Sequence, residues 1–356
     1  MYVGGEFYYD GKWSTETPAL SPGYGVFLAG GKACLIVISD CLREKGVRKI
    51  LLPAYLCPEI LDTLESRGME WDFYPVHPDL SIDLATLAQM IAKHTAVYFI
   101  NYFGFQHDAA TQSFLVDLRE KGIRVVEDNA QAGFPGQTIG DFAFNSLRKF
   151  VPFDGGYLRS NEDLREKIAG YPRVQNRRLA VIRSYRHGLA EYVYRGTGDP
   201  ADLAEQYELA ETCYREDAVV EGDLDERWQI EHLNWEEIRR VRRGNYHYLL
   251  ERLAVVPEVT PIFPALQAEM MPLGMPIYVD GGLRNELFDT LGREGIGLTI
   301  HWEALLTDPR TSHDRITLDM AGRMLTLVCD QRTSHKQLDV QVDRLQAAIK
   351  RLNRRG

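Results

Sequence analysis

The sequence predicts an α/β protein: a large domain on a mainly parallel, helix-covered sheet, followed by a smaller C-terminal α+β domain. Three observations carry this. From Lys49 to about Arg159, short apolar runs alternate with longer amphipathic stretches, the rhythm of βαβ units. The run Ala96-Val97-Tyr98-Phe99-Ile100 is apolar at every position, as in a strand that meets water on neither face. The chain's 356 residues exceed the usual size of one compact domain, so a second unit is expected.

Taken in order, Gly30-Gly31 leads into KACLIVISDCLREKG, whose apolar spacing and closing Gly46 predict a helix opened by a glycine turn. KILLP, WDFYPV, TAVYFINYFG and IRVVEDNA follow as strands separated by helices, and GDFAFN comes after them. Beyond Arg159 the pattern turns helical and charge-rich, and Trp228 to Leu253 reads as one long helix within which the first domain ends. The expected division is therefore 1–235 and 236–356. The second part alternates MPIYVD, a helix near Arg284 to Glu294, IGLTIHW, MLTLVCD and a final amphipathic helix. No internal repeat or low-complexity segment interrupts it.

Charge and composition exclude several function classes. A net charge of −10 gives no footprint for nucleic acid or an anionic membrane, both of which attract basic surfaces. The clusters Arg239-Arg240-Val241-Arg242-Arg243 and Arg351 to Arg355 are accordingly read as solvated helix faces or tails. Five cysteines, an odd number without C-x-x-C spacing, argue against a disulfide framework and a zinc site, and a reducing cytoplasm is the expected compartment. The start, MYVGGEFYYDGKW, lacks a basic stretch followed by an apolar run, and no segment approaches the roughly 18 apolar residues of a membrane span. A soluble, unexported protein is expected. Nine histidines without H-x-x-x-H spacing suggest no metal site, and Gly23-Tyr24-Gly25 follows no apolar strand and lacks the third glycine of a dinucleotide fingerprint.

In parallel sheets ligands gather beyond the carboxyl ends of the strands. Three such places carry reactive residue types: Asn101-Tyr102-Phe103-Gly104, Glu127-Asp128-Asn129-Ala130-Gln131, and Ser146-Leu147-Arg148-Lys149. A Gly-Gly before a helix, a strand ending in EDNAQA, then GDFAFNSLRK and DGGYLRSN, occur in the order and near the spacings of the DegT/DnrJ/StrS sugar aminotransferases, which the chain resembles. LLPAYLCPEI, PDLSID and INYFGF resemble further segments of that family, and the likeness is strongest from Gly30 to Asn161.

The resemblance implies the fold type I of pyridoxal 5'-phosphate (PLP) enzymes and transfer of an amino group, from an amino acid such as glutamate to a keto sugar expected to be nucleotide-linked. It implies a homodimer with small-molecule substrates. Asp128 is the expected partner of the cofactor's pyridine nitrogen, because a carboxylate there favours the protonated ring that stabilises a carbanion. Gln131 is expected at the phenolic edge. Lys149 is expected to form the imine and then to shuttle the proton. Gly31 and Lys32 at the helix start, with Ser146, are expected to cradle the phosphate, Lys32 standing where the family has Thr. Tyr55 is the aromatic candidate to pack on the cofactor ring, with Cys57 as the alternative. His301, Trp302 and Arg332 are candidates for substrate or partner contact.

Two alternatives remain open at this level. Laid without gaps on the family segment, Arg148 falls on the imine position, and arginine cannot form an imine. A shift of one residue restores Lys149 and sets Ser146 three before it. Arg148 there, with Lys32 where Thr is usual, leaves open a catalytically inert relative that binds a ligand or partner; separately, a PLP enzyme of another reaction type stays open.

Overall fold

The computed structural model describes residues 2–20, 25–92, 95–215, 218–267, 269–279 and 282–354. Gly23 and Tyr24 of the discounted glycine segment, the end of MPIYVDG and Arg355 of the terminal basic cluster lie outside the described residues.

Seven strands form the main sheet: β1 (Val26–Leu28), β2 (Lys49–Pro53), β3 (Glu70–Tyr74), β4 (Thr95–Ile100), β5 (Arg124–Asn129), β6 (Phe142–Asn145) and β7 (Gly156–Ser160). Their order is β3-β2-β4-β5-β6-β7-β1. The pairs from β3 through to β6 are parallel, whereas β7 runs antiparallel to both β6 and β1. Burial follows sheet position. Central β4 is buried at all six positions, while edge strand β3 exposes Glu70 and Asp72 and pairs Asp72 with Lys49 at 2.8 Å. Charges on an edge discourage pairing with another strand.

Connection length decides where the chemistry-bearing loop goes. Parallel neighbours need a crossover of a dozen or more residues, usually helical. Helices α1 (Gly31–Glu44), α2 (Glu59–Ser66), α3 (Leu84–Met90) and α4 (Ala109–Glu120) lie in the connections up to β5. Residues 146–155, between β6 and β7, form only a short turn, Leu147–Lys149, so the chain reverses and β7 comes back antiparallel. That loop therefore stays at the carboxyl end of β6, beside the end of β5.

After β7 come α5 (Arg165–Ala169), α6 (Arg177–Arg195), α7 (Pro200–Tyr214), α8 (Leu224–Glu231) and α9 (Trp235–Leu253), with α6 packed along α7. The single helix expected from Trp228 to Leu253 is in fact two. Asn234 accepts from the Glu237 amide at 3.0 Å and caps the second helix, and the Trp235 indole donates back to the Ile230 carbonyl at 2.8 Å. The solvated reading of the Arg239–Arg243 cluster also needs correction at Arg242. Its side chain is fully buried and donates to Gln331 Oε1 (2.7 Å) and to the carbonyls of Pro272 (2.9 Å) and Phe150, tying α9 to the loop after β6.

The C-terminal part holds an antiparallel sheet of β8 (Val259–Pro261), β9 (Met275–Val279) and β10 (Met324–Leu327), with β9 in the middle. Helices α10 (Arg284–Arg293), α11 (Arg315–Arg323) and α12 (His335–Leu352) complete it. Of IGLTIHW, only Ile296–Gly297 is strand, paired in parallel with Val3–Gly4. The first residues of the chain thus pair with residues of the second expected domain, an arrangement that a single cut at 235 leaves out. Among the described residues no helix is long and apolar enough to cross a membrane.

Candidate active site

Two adjacent acids end β5, and the alternation of the strand sends them to opposite faces. Glu127 accepts from the amides of Ile139 (2.6 Å) and Gly140 (3.0 Å) and from Asn129 (3.0 Å), which closes the turn ahead of β6. Asp128 faces the other way. It pairs in register with Ile100 of β4 and Phe144 of β6, so Tyr98, Ile100, Phe144 and Ser146 share its face. Tyr98 donates its hydroxyl to Asp128 Oδ2 at 2.5 Å, and the Ala130 amide donates to Oδ1 at 2.7 Å. Burial raises the Asp128 pKa above the usual carboxylate value, against the opposing pull of these two donors and of Lys149.

Lys149 sits on the short turn after β6, within the electrostatic reach of Asp128, Cys57 and His301. Burial lowers its pKa, although Cys57 and Asp128 pull it up. Arg148, the other residue open to the imine position, also borders this site, but its guanidinium is engaged by α7. Its guanidinium pairs with Glu211 at 2.9 Å and lies 4.4 Å over the Tyr214 ring. Lys149 has no ion-pair partner among the described residues.

A cavity of about 370 Å³ joins these groups. Gly31, Lys32, Asp128, Gln131, Ser146 and Lys149 border it, and so do His301 and Trp302 from the C-terminal part. The helix start is closely fitted: a Cβ on Gly30 would lie 2.9 Å from the Tyr214 hydroxyl, and one on Gly31 would lie 3.3 Å from the Phe144 ring. The Lys32 amide donates to that hydroxyl at 3.4 Å, while the Lys32 ammonium is committed to the Arg215 carbonyl. Gln131 accepts from the Phe103 amide at 3.0 Å and leaves its buried Nε2 with no partner. An orphaned buried donor costs about 1–3 kcal/mol, which a ligand acceptor would recover.

Two candidates lie away from this cavity. Tyr55 is buried in the core behind it; its hydroxyl bonds the His301 carbonyl and Met324 sulfur (3.1 Å), and Cys57 borders the cavity instead. Burial pushes the Cys57 thiol pKa up to about 12. Arg332 pairs with Asp330 at 2.7 Å and stacks 3.9 Å from the Phe7 ring, holding the N-terminal segment. His301 does border the cavity, accepting from or donating to Thr326 at 3.0 Å, and burial drops its pKa to about 3, so the ring is neutral. Sequence reasoning missed Tyr98, Tyr207 and Tyr214. Only the β4–β5 register reveals Tyr98, and the two α7 tyrosines carry no motif.

The donor set fits PLP. A carboxylate with unused lone pairs suits a ring N–H, the free Gln131 amide suits a phenolic oxygen, and the first turn of α1 with Ser146 suits a phosphate. Among the described residues no group of three or more His, Cys, Asp or Glu side chains is arranged to hold a metal.

No family model matches the sequence, and no curated protein matches it either. Solved structures do. The Streptococcus pneumoniae protein Spr1654 in its PLP-form superposes with a TM-score of 0.69 over 99% of this chain and 99% of its own, at 14% identity. The aminotransferase TlmJ from Streptoalloteichus hindustanus gives 0.65 over 92% and 86%, at 18% identity. The Helicobacter pylori aminotransferase PseC, involved in the biosynthesis of pseudoaminic acid, gives 0.63 over 91% and 86%, at 11% identity. At such identities the likeness is one of architecture, and the chain has the α/β fold of these aminotransferases, the fold type I of PLP enzymes.

Proposed function

We propose that this protein is a PLP-dependent aminotransferase that moves an amino group from an amino acid, glutamate being the expected donor, to a keto sugar carried on a nucleotide. One observation carries the reading: Asp128, Gln131, Ser146, Lys149 and the first turn of α1, separated by up to 118 positions in the chain, border one cavity (Gly31 to Lys149, 149 − 31). The acceptor class rests on the likeness to sugar aminotransferases.

When bound, PLP supplies an electron sink for the amine carbon. The chain's own residues supply the rest. Each Asp128 oxygen already accepts one hydrogen bond and keeps a lone pair, so the carboxylate can hold a proton on a ring nitrogen without leaving its place. Burial favours the neutral amine of Lys149, the form able to add to an aldehyde and to take a proton. Gln131 Nε2 can donate to a phenolic oxygen, and the amides opening α1, with Ser146, hold a dianion. A homodimer in the cytoplasm belongs to the same proposal, on the family likeness and the unpaired cysteines.

The test is spectroscopic. With PLP added, the protein is expected to bind the cofactor with a visible absorbance band, and glutamate should convert it to the pyridoxamine form. A protein that binds PLP but ignores glutamate would point to another reaction type. One that ignores PLP would be an inert relative.

A further inference from the structure

A second cavity of about 550 Å³ adjoins the first, and Arg148, Lys149, Tyr207, Thr299 and His301 border both. Part of its wall is the N-terminal segment, which brings in Glu6. That segment is firmly placed. Val3–Gly4 pairs with Ile296–Gly297, a Cβ on Gly297 would come within 2.4 Å of the Gly5 amide, and Arg332 donates to the carbonyls of Gly5 (3.0 Å) and Glu6 (2.9 Å).

The charges around this cavity are unevenly satisfied. Arg148 is paired with Glu211, and Asp330 is neutralised by Arg332. The Glu6 carboxylate meets Arg186 Nη2 only at 3.5 Å, while the same nitrogen lies 2.8 Å from Asp154. Glu6 therefore keeps most of its acceptor capacity. Tyr185 and Tyr207 also border the cavity, their rings 5.2 Å apart. Burial, reinforced by the charge of Glu6, raises the pKa of both phenols, so each stays a donor. Leaving aside Lys149, reserved for the imine, the surface offers a carboxylate and phenols, and its other cation, Arg148, has an acidic partner in Glu211 although its Nε is without an acceptor. With Glu6 in its wall, such a surface suits a hydroxyl-bearing ring better than a carboxylate or phosphate.

We propose that this second cavity seats the sugar ring of the acceptor as an uncharged, hydroxyl-rich ring, with Glu6 accepting from its hydroxyls and Tyr185 and Tyr207 beside it. The inference rests on the aminotransferase reading and deepens it. The ring-binding residues come from the same chain as Lys149, and a nucleotide attached to the sugar stays outside the cavity.

The experiment uses the PLP-loaded protein and follows conversion of the cofactor to its amine form, run in the direction of amine donation. The probes are glucosamine and glucosaminuronate, which differ by a carboxylate at the far end of the ring, with glutamate as control. Glucosamine is expected to be favoured by about tenfold or more in apparent affinity, since a like charge beside Glu6 is repelled. Glu6→Gln should weaken glucosamine by about tenfold with little change in the limiting rate, and should abolish the preference over glucosaminuronate. Tyr207→Phe, which keeps the ring, should weaken both probes by a smaller factor. If glutamate converts the cofactor but neither sugar does, or if Glu6→Gln leaves the preference intact, the cavity assignment is wrong and the aminotransferase reading survives. If glutamate also fails, the underlying reading falls and this inference with it.

Discussion

Two buried polar regions meet at the loop after β6, and they are built on opposite principles. Towards α6 and α7 the acids are matched by cations: Asp154 meets Arg178 (2.6 Å) and Arg186 (2.8 Å), and Glu211 meets Arg148 and Arg178 (2.9 Å each). Towards β5 the groups are left short of partners. Lys149 has no ion pair among the described residues, Gln131 Nε2 has no acceptor, and Asp128 keeps unused lone pairs. The pKa directions record the contrast. Burial alone would raise Asp154, but Arg186 and Arg178 bring it below the ordinary value, whereas Asp128 is left above it. Buried acids held by opposite charges serve the fold even though nitrogens of Arg148, Arg178 and Arg186 lack acceptors, whereas an acid and an amine left without opposite charges in contact are placed for a ligand.

The largest expected effect breaks the matched side. Asp154→Ala leaves Arg178 and Arg186 buried without their main partner, which should cost about 3–5 kcal/mol of stability, read from denaturant unfolding. An unchanged midpoint would mean that the ion pairs contribute nothing. Next comes the unmatched side. Asp128→Asn keeps the size of the side chain but removes its charge, so cofactor conversion by glutamate should slow by about 10²-fold or more while the unfolding midpoint moves little. Equal losses of stability in the two variants would erase the distinction.

A smaller effect is expected from pH. Burial lowers His301 to about 3 and His107 to about 4, from an ordinary value of 6.5. Between those limits the unfolded chain binds more protons than the folded one, so stability should be full above pH 6.5 and fall as the pH drops towards 4. Histidine titrations by NMR should place both rings in the neutral form at pH 6; a protonated His301 at that pH would contradict the burial described here.

Much of the cavity was legible because its residues sit on short, local signals. EDNAQA marks a strand end, and the ten residues from Ser146 to Gly155 are too few for a crossover, which keeps Lys149 near Asp128. What remained hidden depends on contacts distant in sequence. Tyr98 reaches Asp128 only through strand register, and Tyr207 and Tyr214 arrive on α7, where no motif announces them. Tyr55 was misplaced because the chain after β2 turns that ring inward and leaves Cys57 at the cavity. Arg332 was read as a substrate contact, yet its partners are Asp330, two residues before it, and the main chain of Gly5 and Glu6. The break before Trp235 was readable, since Asn234 with Glu237 three residues on is a cap signal that the helical periodicity on either side obscured.

The central claim is that the amine at position 149, not the guanidinium beside it, reaches the cofactor's aldehyde. Borohydride reduction of the PLP-loaded protein, followed by peptide mass analysis, tests it most directly. The expected result is a phosphopyridoxyl group on Lys149, with incorporation lost in Lys149→Ala and retained in Arg148→Gln. Label on another lysine, or none in a protein that binds PLP tightly, would contradict it.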